Sequence, residues 1–99
     1  MENVNVNAWT DLKNENAVLV DVRTIEEFNG GHIEGALNID VFSPNFQTEI
    51  EKLEKSKEYF VVCRSGGRSM SAAGAMESMG FDKITNMAGG MMSWMGQTV

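Results

Sequence analysis

One cysteine, one histidine and one proline occur in 99 residues, and each scarcity closes off a class of chemistry. A single cysteine, Cys63, excludes an internal disulfide, a Cys-x-x-Cys redox pair and a thiolate-rich zinc site. A single histidine, His32, cannot build a histidine metal site, so no metal and no cofactor is expected. No apolar run approaches the roughly 20 residues needed to cross a bilayer. The start, Met1-Glu-Asn-Val-Asn-Val-Asn7, has neither the basic opening nor the apolar stretch of a secretory signal. A free thiol without those signals fits the cytoplasm, where thiols stay reduced. Basic residues are also few, 8 Lys and Arg against 14 Asp and Glu for a net charge of -6. That balance argues against nucleic acid or an anionic membrane surface as partner.

What is present is an ordinary soluble composition, 42% hydrophobic and 22% charged, enough for one core and hence one domain over residues 1–99. Strand and helix signals alternate. Val4 and Val6 between asparagines predict a short first strand, and Asn7 caps a helix over Ala8 to Asn14 with Trp9 and Leu12 facing inward. Ala17 to Val22 is a continuous apolar run, as expected of a strand buried on both faces. Thr24-Ile-Glu-Glu27 is a capping box opening a brief helix that Gly30-Gly31 ends. Further strands are predicted at Ala36 to Ile39, at Tyr59 to Val62 and around Ile84. Helices are predicted over Gln47 to Lys55, with Ile50 and Leu53 buried, over Ser69 to Met79, and over Met91 to Gln97, anchored by Trp94. Alternating strands and helices give an α/β fold. Its central sheet is mostly parallel, of about five short strands, with helices on both faces.

Tyr59-Phe-Val-Val-Cys-Arg-Ser-Gly-Gly-Arg-Ser69 organises the rest. A buried strand delivers Cys63 into a glycine loop that opens a helix. Gly66 and Gly67 are free to take positive φ, which turns successive backbone N–H groups inward as an anion-binding nest. The helix start adds unpaired N–H groups and the positive end of its dipole, and Arg64 and Arg68 add two charges. All of these favour thiolate, the nucleophilic form. An inert core cysteine would need none of them. In open parallel sheets ligands bind beyond the carboxyl ends of the strands, and Cys63, Asp21 with Arg23, and Ala88-Gly89-Gly90 all lie at such ends.

Three stretches resemble the rhodanese family of single-domain sulfurtransferases. They are Asp21-Val-Arg-Thr-Ile-Glu-Glu-Phe-Asn-Gly-Gly-His-Ile-Glu-Gly-Ala-Leu-Asn-Ile39, the loop Cys63-Arg-Ser-Gly-Gly-Arg68, and Asn86-Met-Ala-Gly-Gly-Met-Met-Ser-Trp94. The chain departs from the family at Asp40, where a proline is common; that touches a turn and not the chemistry. The resemblance implies a rhodanese-like fold and a cysteine that takes the outer sulfur of a small anionic donor such as thiosulfate. The resulting persulfide passes sulfur to cyanide or to a thiol, including one borne by a partner protein. It also implies that the phosphatases of this architecture need a loop one residue longer to enclose phosphate.

On this reading Cys63 is catalytic, and the backbone of Arg64, Ser65, Gly66, Gly67 and Arg68, with Ser69, holds the sulfur. The Arg64 and Arg68 side chains bind the donor's anionic end. Asp21 and Arg23, as an ion pair or cap bracing the loop, support the site structurally. So do Glu27, His32, Gly89 and Gly90. Met91 or Met92 is a candidate apolar rim beside Cys63, with Phe42 and Phe46 opposite, although core packing is the default for methionine and phenylalanine. Two other functions stay open: a persulfide carrier or binding module with little turnover, and a phosphatase or arsenate reductase on the same scaffold.

Overall fold

Side chains along Tyr59–Cys63 alternate between two cores, and that alternation orders the molecule. Tyr59, Val61 and Cys63 pack in one apolar cluster, Phe60 and Val62 in another. The computed structural model describes residues 1–99. Its strands are β1 (Glu2–Asn5), β2 (Ala17–Asp21), β3 (Leu37–Asn38), β4 (Glu58–Val62) and β5 (Lys83–Ala88), and its helices α1 (Trp9–Leu12), α2 (Ile25–Asn29), α3 (Phe46–Glu51), α4 (Gly67–Ser78) and α5 (Gly90–Ser93). All four strand pairings are parallel, in the order β1-β5-β4-β2-β3. No helix is long and apolar enough to cross a membrane.

Apart from Asp21 and Glu58 at their ends, the central strands β2 and β4 are apolar because both their faces are covered. On one face Ile50 of α3 and Ala72, Ala73 and Met76 of α4 meet Val20, Val61 and Ile84. The two alanines let α4 lie close to the sheet. On the other face Trp9 and the partly buried Met91 and Trp94 cover Leu19, Phe60 and Met87. Trp9 packs edge-on against Phe60 at 5.3 Å between ring centres. Each fully buried side chain of this size contributes about 1.5–3 kcal/mol.

Several predicted elements shift. The first helix is a 3-10 turn at Val6–Ala8, capped by the Asn5 side chain, followed by the single turn of α1. Lys13 is already extended, so Leu12 never completes a second turn and is 39% exposed rather than inward. Asn7 instead ties the C-terminal segment, donating from Nδ2 to the Ser93 carbonyl and accepting from the Met95 amide. Helix α3 stops at Glu51, short of Lys55, and α4 starts two residues earlier than predicted, at Gly67. The last helix is Gly90–Ser93, not Met91–Gln97; Trp94 is extended and its indole N–H donates to the Gln97 carbonyl. Phe42 is not a core residue but stands 68% exposed, while Phe46 packs on the core as its default role requires.

Candidate active site at the end of strand β4

Strand β4 ends at Val62, and period two places the next side chain, Cys63, on the α4 face, 1% exposed. The chain then turns through Arg64, Ser65 and Gly66 before α4 begins. Of the two glycines only Gly66 has positive φ, at 116°. Gly67 is instead the first helical residue. The left-handed turn at Gly66 aims its amide at the cysteine, N–H to Sγ at 3.0 Å.

Burial pushes the Cys63 thiol up. Hydrogen bonding to the Ser69 hydroxyl and to the amides of Ser69, Gly66 and Ser65 outweighs it and holds the pKa below the ordinary thiol value. The ring of donors predicted around the sulfur is thus drawn from Ser65, Gly66 and Ser69. Cys63 lies 3.4 Å from Ser69 Oγ.

The two arginines part company. Arg68 turns to α2, where Glu27 accepts from both of its terminal nitrogens at 2.8 and 2.9 Å. That bidentate bond holds the Glu27 carboxyl down to about 2 and keeps the guanidinium charged. The guanidinium also stands 5.5 Å over the exposed Phe42 ring. Glu27 is fixed from behind by the capping box, its side chain accepting from the Thr24 amide. Arg64 is exposed and takes part in none of the four ion pairs.

Asp21 and Arg23 form a buried ion pair, 2.8 Å apart, but the loop they brace is not the cysteine loop. Arg23 donates onward to the Gly31 carbonyl at 2.8 Å, so the pair fixes the turn after α2. His32 lies in that same turn, its ring stacked on Phe28 at 3.6 Å and its Nδ1 2.9 Å from the Phe28 carbonyl. Its ring packs against Phe28 of α2, away from the contacts of Cys63.

Gly89 and Gly90 seat the opposite loop against the cysteine. The amides of Met91 and Met92 donate to the carbonyls of Cys63 and Arg64 at 2.8 and 2.9 Å. A Cβ on Gly90 would come within 2.5 Å of those same two carbonyl oxygens, so this approach needs glycine. Met92 is 69% exposed beside that contact, and Met91 is half-buried against the second core cluster.

Sequence reading missed Asn86. It is 2% exposed and accepts a hydrogen bond from Ser69. The signal was available: Ile84 and Asn86 fall on the same face of one strand, so an amide stands where the alternation calls for an apolar side chain.

A family model described as Rhodanese-like domain matches residues 6–97. YtwF of Bacillus subtilis, provisionally named a sulfurtransferase, is 42% identical over 84 residues, 85% of this chain and 79% of that protein. The thiosulfate sulfurtransferase GlpE of Shewanella oneidensis is 31% identical over 94% of this chain and 91% of its own. The crystal structure of a rhodanese-like domain protein from Staphylococcus aureus superposes with a TM-score of 0.84 at 28% identity, covering 98% of this chain and 93% of that one. Other relatives are longer than the segment they share, which spans 44%, 50% and 66% of three of them.

Proposed function

The chain belongs to the rhodanese-like domain family, whose relatives include sulfurtransferases, and from that membership we propose that it transfers sulfane sulfur through a persulfide on Cys63. The donor is a small sulfur-bearing anion such as thiosulfate. The Cys63 thiolate attacks the outer sulfur of thiosulfate, the sulfur–sulfur bond breaks, and its electron pair leaves with sulfite. Cys63 then carries a persulfide anion. An acceptor nucleophile, cyanide or a thiol, attacks the terminal sulfur, forms thiocyanate or a new persulfide, and returns the thiolate.

The observation that carries this reading is the amide of Gly66 on Cys63 Sγ at 3.0 Å. It sits in a loop whose other donors lower the thiol pKa. Neither step needs a general base once the thiolate is preformed. Fixed N–H donors that receive negative charge act without reorganisation at the moment of reaction. Cys63, the amides of Ser65 and Gly66, the Ser69 amide and hydroxyl, and the exposed Arg64 form the working set. Glu27, Arg68, Gly89 and Gly90 hold the loop in place.

Intact mass measurement after exposure to thiosulfate tests it. One added sulfur atom, absent in Cys63→Ser and removed by cyanide, is the expected result; an unchanged mass at high thiosulfate refutes it. Sulfur accepted from a persulfide donor but not from thiosulfate would make the protein a carrier instead.

A further inference from the structure

Beneath the reactive loop lies a buried amide that the sulfur chemistry above leaves unused. Asn86 of β5 pairs with Val61 of β4 and with Asn3 of β1. It lies on the face covered by α4, among residues such as Ile84 and Ala73. Its amide is engaged at both ends: Oδ1 accepts from the Ser69 hydroxyl at 2.5 Å, and Nδ2 donates to Asn3 Oδ1 at 2.9 Å. The bond to Asn3 turns the oxygen, and not the nitrogen, toward Ser69. The same Ser69 oxygen lies 3.4 Å from Cys63 Sγ and 3.1 Å from the Gly66 carbonyl.

A hydroxyl carries one proton. While Cys63 is a thiol, its S–H donates to Ser69 and Ser69 donates to Asn86, so every group is satisfied. Once Cys63 is ionised it can only accept. Ser69 then serves the sulfur only by turning its proton away from Asn86, which leaves the amide oxygen unpaired in a buried site. Asn86 and the thiolate are the chief competitors for one proton; the Gly66 carbonyl, farther away at 3.1 Å, already accepts from the Met70 amide.

We propose that Asn86 is a positioning residue acting through Ser69: it draws the hydroxyl proton away from Cys63 and so limits how far the sulfur anion is stabilised. The inference rests on reading Cys63 as the sulfur-bearing nucleophile. The limit has a chemical use, because a thiolate loses nucleophilicity as its pKa falls. When sulfur is loaded the negative charge moves out to the terminal atom, Ser69 returns to Asn86, and the loop amides remain for the outer sulfur. The charges around Cys63 are Arg64 on the loop and Arg68 on α4. Glu27 is bound to Arg68, and Asp40 lies within its field. None of them is hydrogen-bonded to Ser69 or Asn86, so substitution at Asn86 leaves them in place.

Iodoacetamide alkylation of Cys63 followed across pH tests the proposal through the midpoint of thiolate formation. Asn86→Val removes the nearer competing acceptor, leaving only the Gly66 carbonyl at 3.1 Å, and is expected to lower the midpoint by about half to one pH unit, the size of one ordinary hydrogen bond. The shift is expected to vanish in a Ser69→Ala background. A midpoint that stays or rises, or a fall that persists without the Ser69 hydroxyl, overturns the proposal. Should Asn86→Val fail to fold, the isosteric Asn86→Asp holds the proton more firmly and is expected to raise the midpoint, more with Ser69 present than with Ala in its place. Equal shifts in the two backgrounds overturn it. Thiosulfate loading of the unmodified protein, measured by mass alongside, separates the two readings. Its failure removes the proposed function, while the alkylation midpoints still decide the role of Asn86.

Discussion

Glu27 on α2 accepts from both terminal nitrogens of Arg68 on α4, joining the two helices by a bidentate bond. Both side chains are partly exposed, at 30% and 23%, so the pair's net worth is about 1 kcal/mol after solvent screening. Its pH dependence has a definite sign. The folded Glu27 pKa lies near 2, below its ordinary 4.5. The bond therefore stabilises fully above 4.5 and is lost as pH falls toward 2. Urea unfolding of the native protein and of Glu27→Gln should show that gap at neutral pH and its closure in acid. A gap constant with pH would contradict the assignment.

Gly66 and Gly67 should respond oppositely to alanine. Gly66 has φ of 116°, so Gly66→Ala costs about 1–2 kcal/mol in backbone strain. It also disturbs the amide that points at Cys63, and sulfur loading should fall with it. Gly67 opens α4 with nothing within 4 Å of a Cβ built on it. Gly67→Ala should raise stability by about 0.5 kcal/mol by narrowing the unfolded ensemble. Chemical denaturation midpoints moving in the same direction would defeat this distinction.

How much of this could be read beforehand follows from the range of each interaction. Strands β2 and β4 were legible because burial on both faces writes an unbroken apolar run. The Thr24–Glu27 cap was legible because both partners sit within one turn. Cys63 announced itself through Gly66 and the flanking arginines. Which glycine takes positive φ depends on where α4 starts, and that is set by packing on the sheet. Helices of a single turn, such as α1 and α5, carry no periodicity to read. The Glu27–Arg68 bond joins residues 41 apart, and no local pattern predicts it. Asn86 did leave a trace, an amide on a core-facing strand position, but only the fold shows that Ser69 lies above it.

The loop after β5 should tolerate no side chain at Gly90. A Cβ there meets the Cys63 and Arg64 carbonyl oxygens at 2.5 Å, and backbone cannot swing aside as a flexible side chain would. Gly90→Ala is expected to cost about 2–4 kcal/mol, combining steric overlap with two lost hydrogen bonds, and to abolish sulfur loading. Gly35 is the control: its φ is also positive, at 86°, but nothing lies within 4 Å of its Cβ. Gly35→Ala should cost only about 1 kcal/mol of strain. Thermal midpoints for the two variants measure the difference, and equal losses would refute the close approach as the cause.

Arg23 offers a different test, because its partner is sealed in. Asp21 is fully buried and Arg23 7% exposed. Arg23→Leu leaves a carboxylate without its counter-charge and should destabilise by about 3–5 kcal/mol. Since Arg23 also holds the Gly31 carbonyl, faster amide exchange should appear at residues 30–33 before it appears in the cysteine loop. Loss concentrated at residues 64–68 instead would mean that the pair braces the reactive loop after all.

Arg64 and Arg68 carry the same charge into the same loop, but only Arg68 already has a carboxylate. On the proposed function, an anionic donor approaching Cys63 would therefore meet one uncommitted cation, Arg64. Arg64→Ala should raise KM for thiosulfate about tenfold, the order of one charge-assisted hydrogen bond, with kcat little changed. Raising the ionic strength should shrink that difference, because the group is exposed. Arg68→Ala removes no free charge. It orphans Glu27, loosens α4 from α2 and should lower kcat and stability more than it raises KM. Steady-state kinetics with thiosulfate and cyanide at low and high salt would separate the two. If Arg68→Ala raised KM as much as Arg64→Ala while leaving stability untouched, the Glu27 bond would have to open in solution, and the division of labour drawn from the structure would fail.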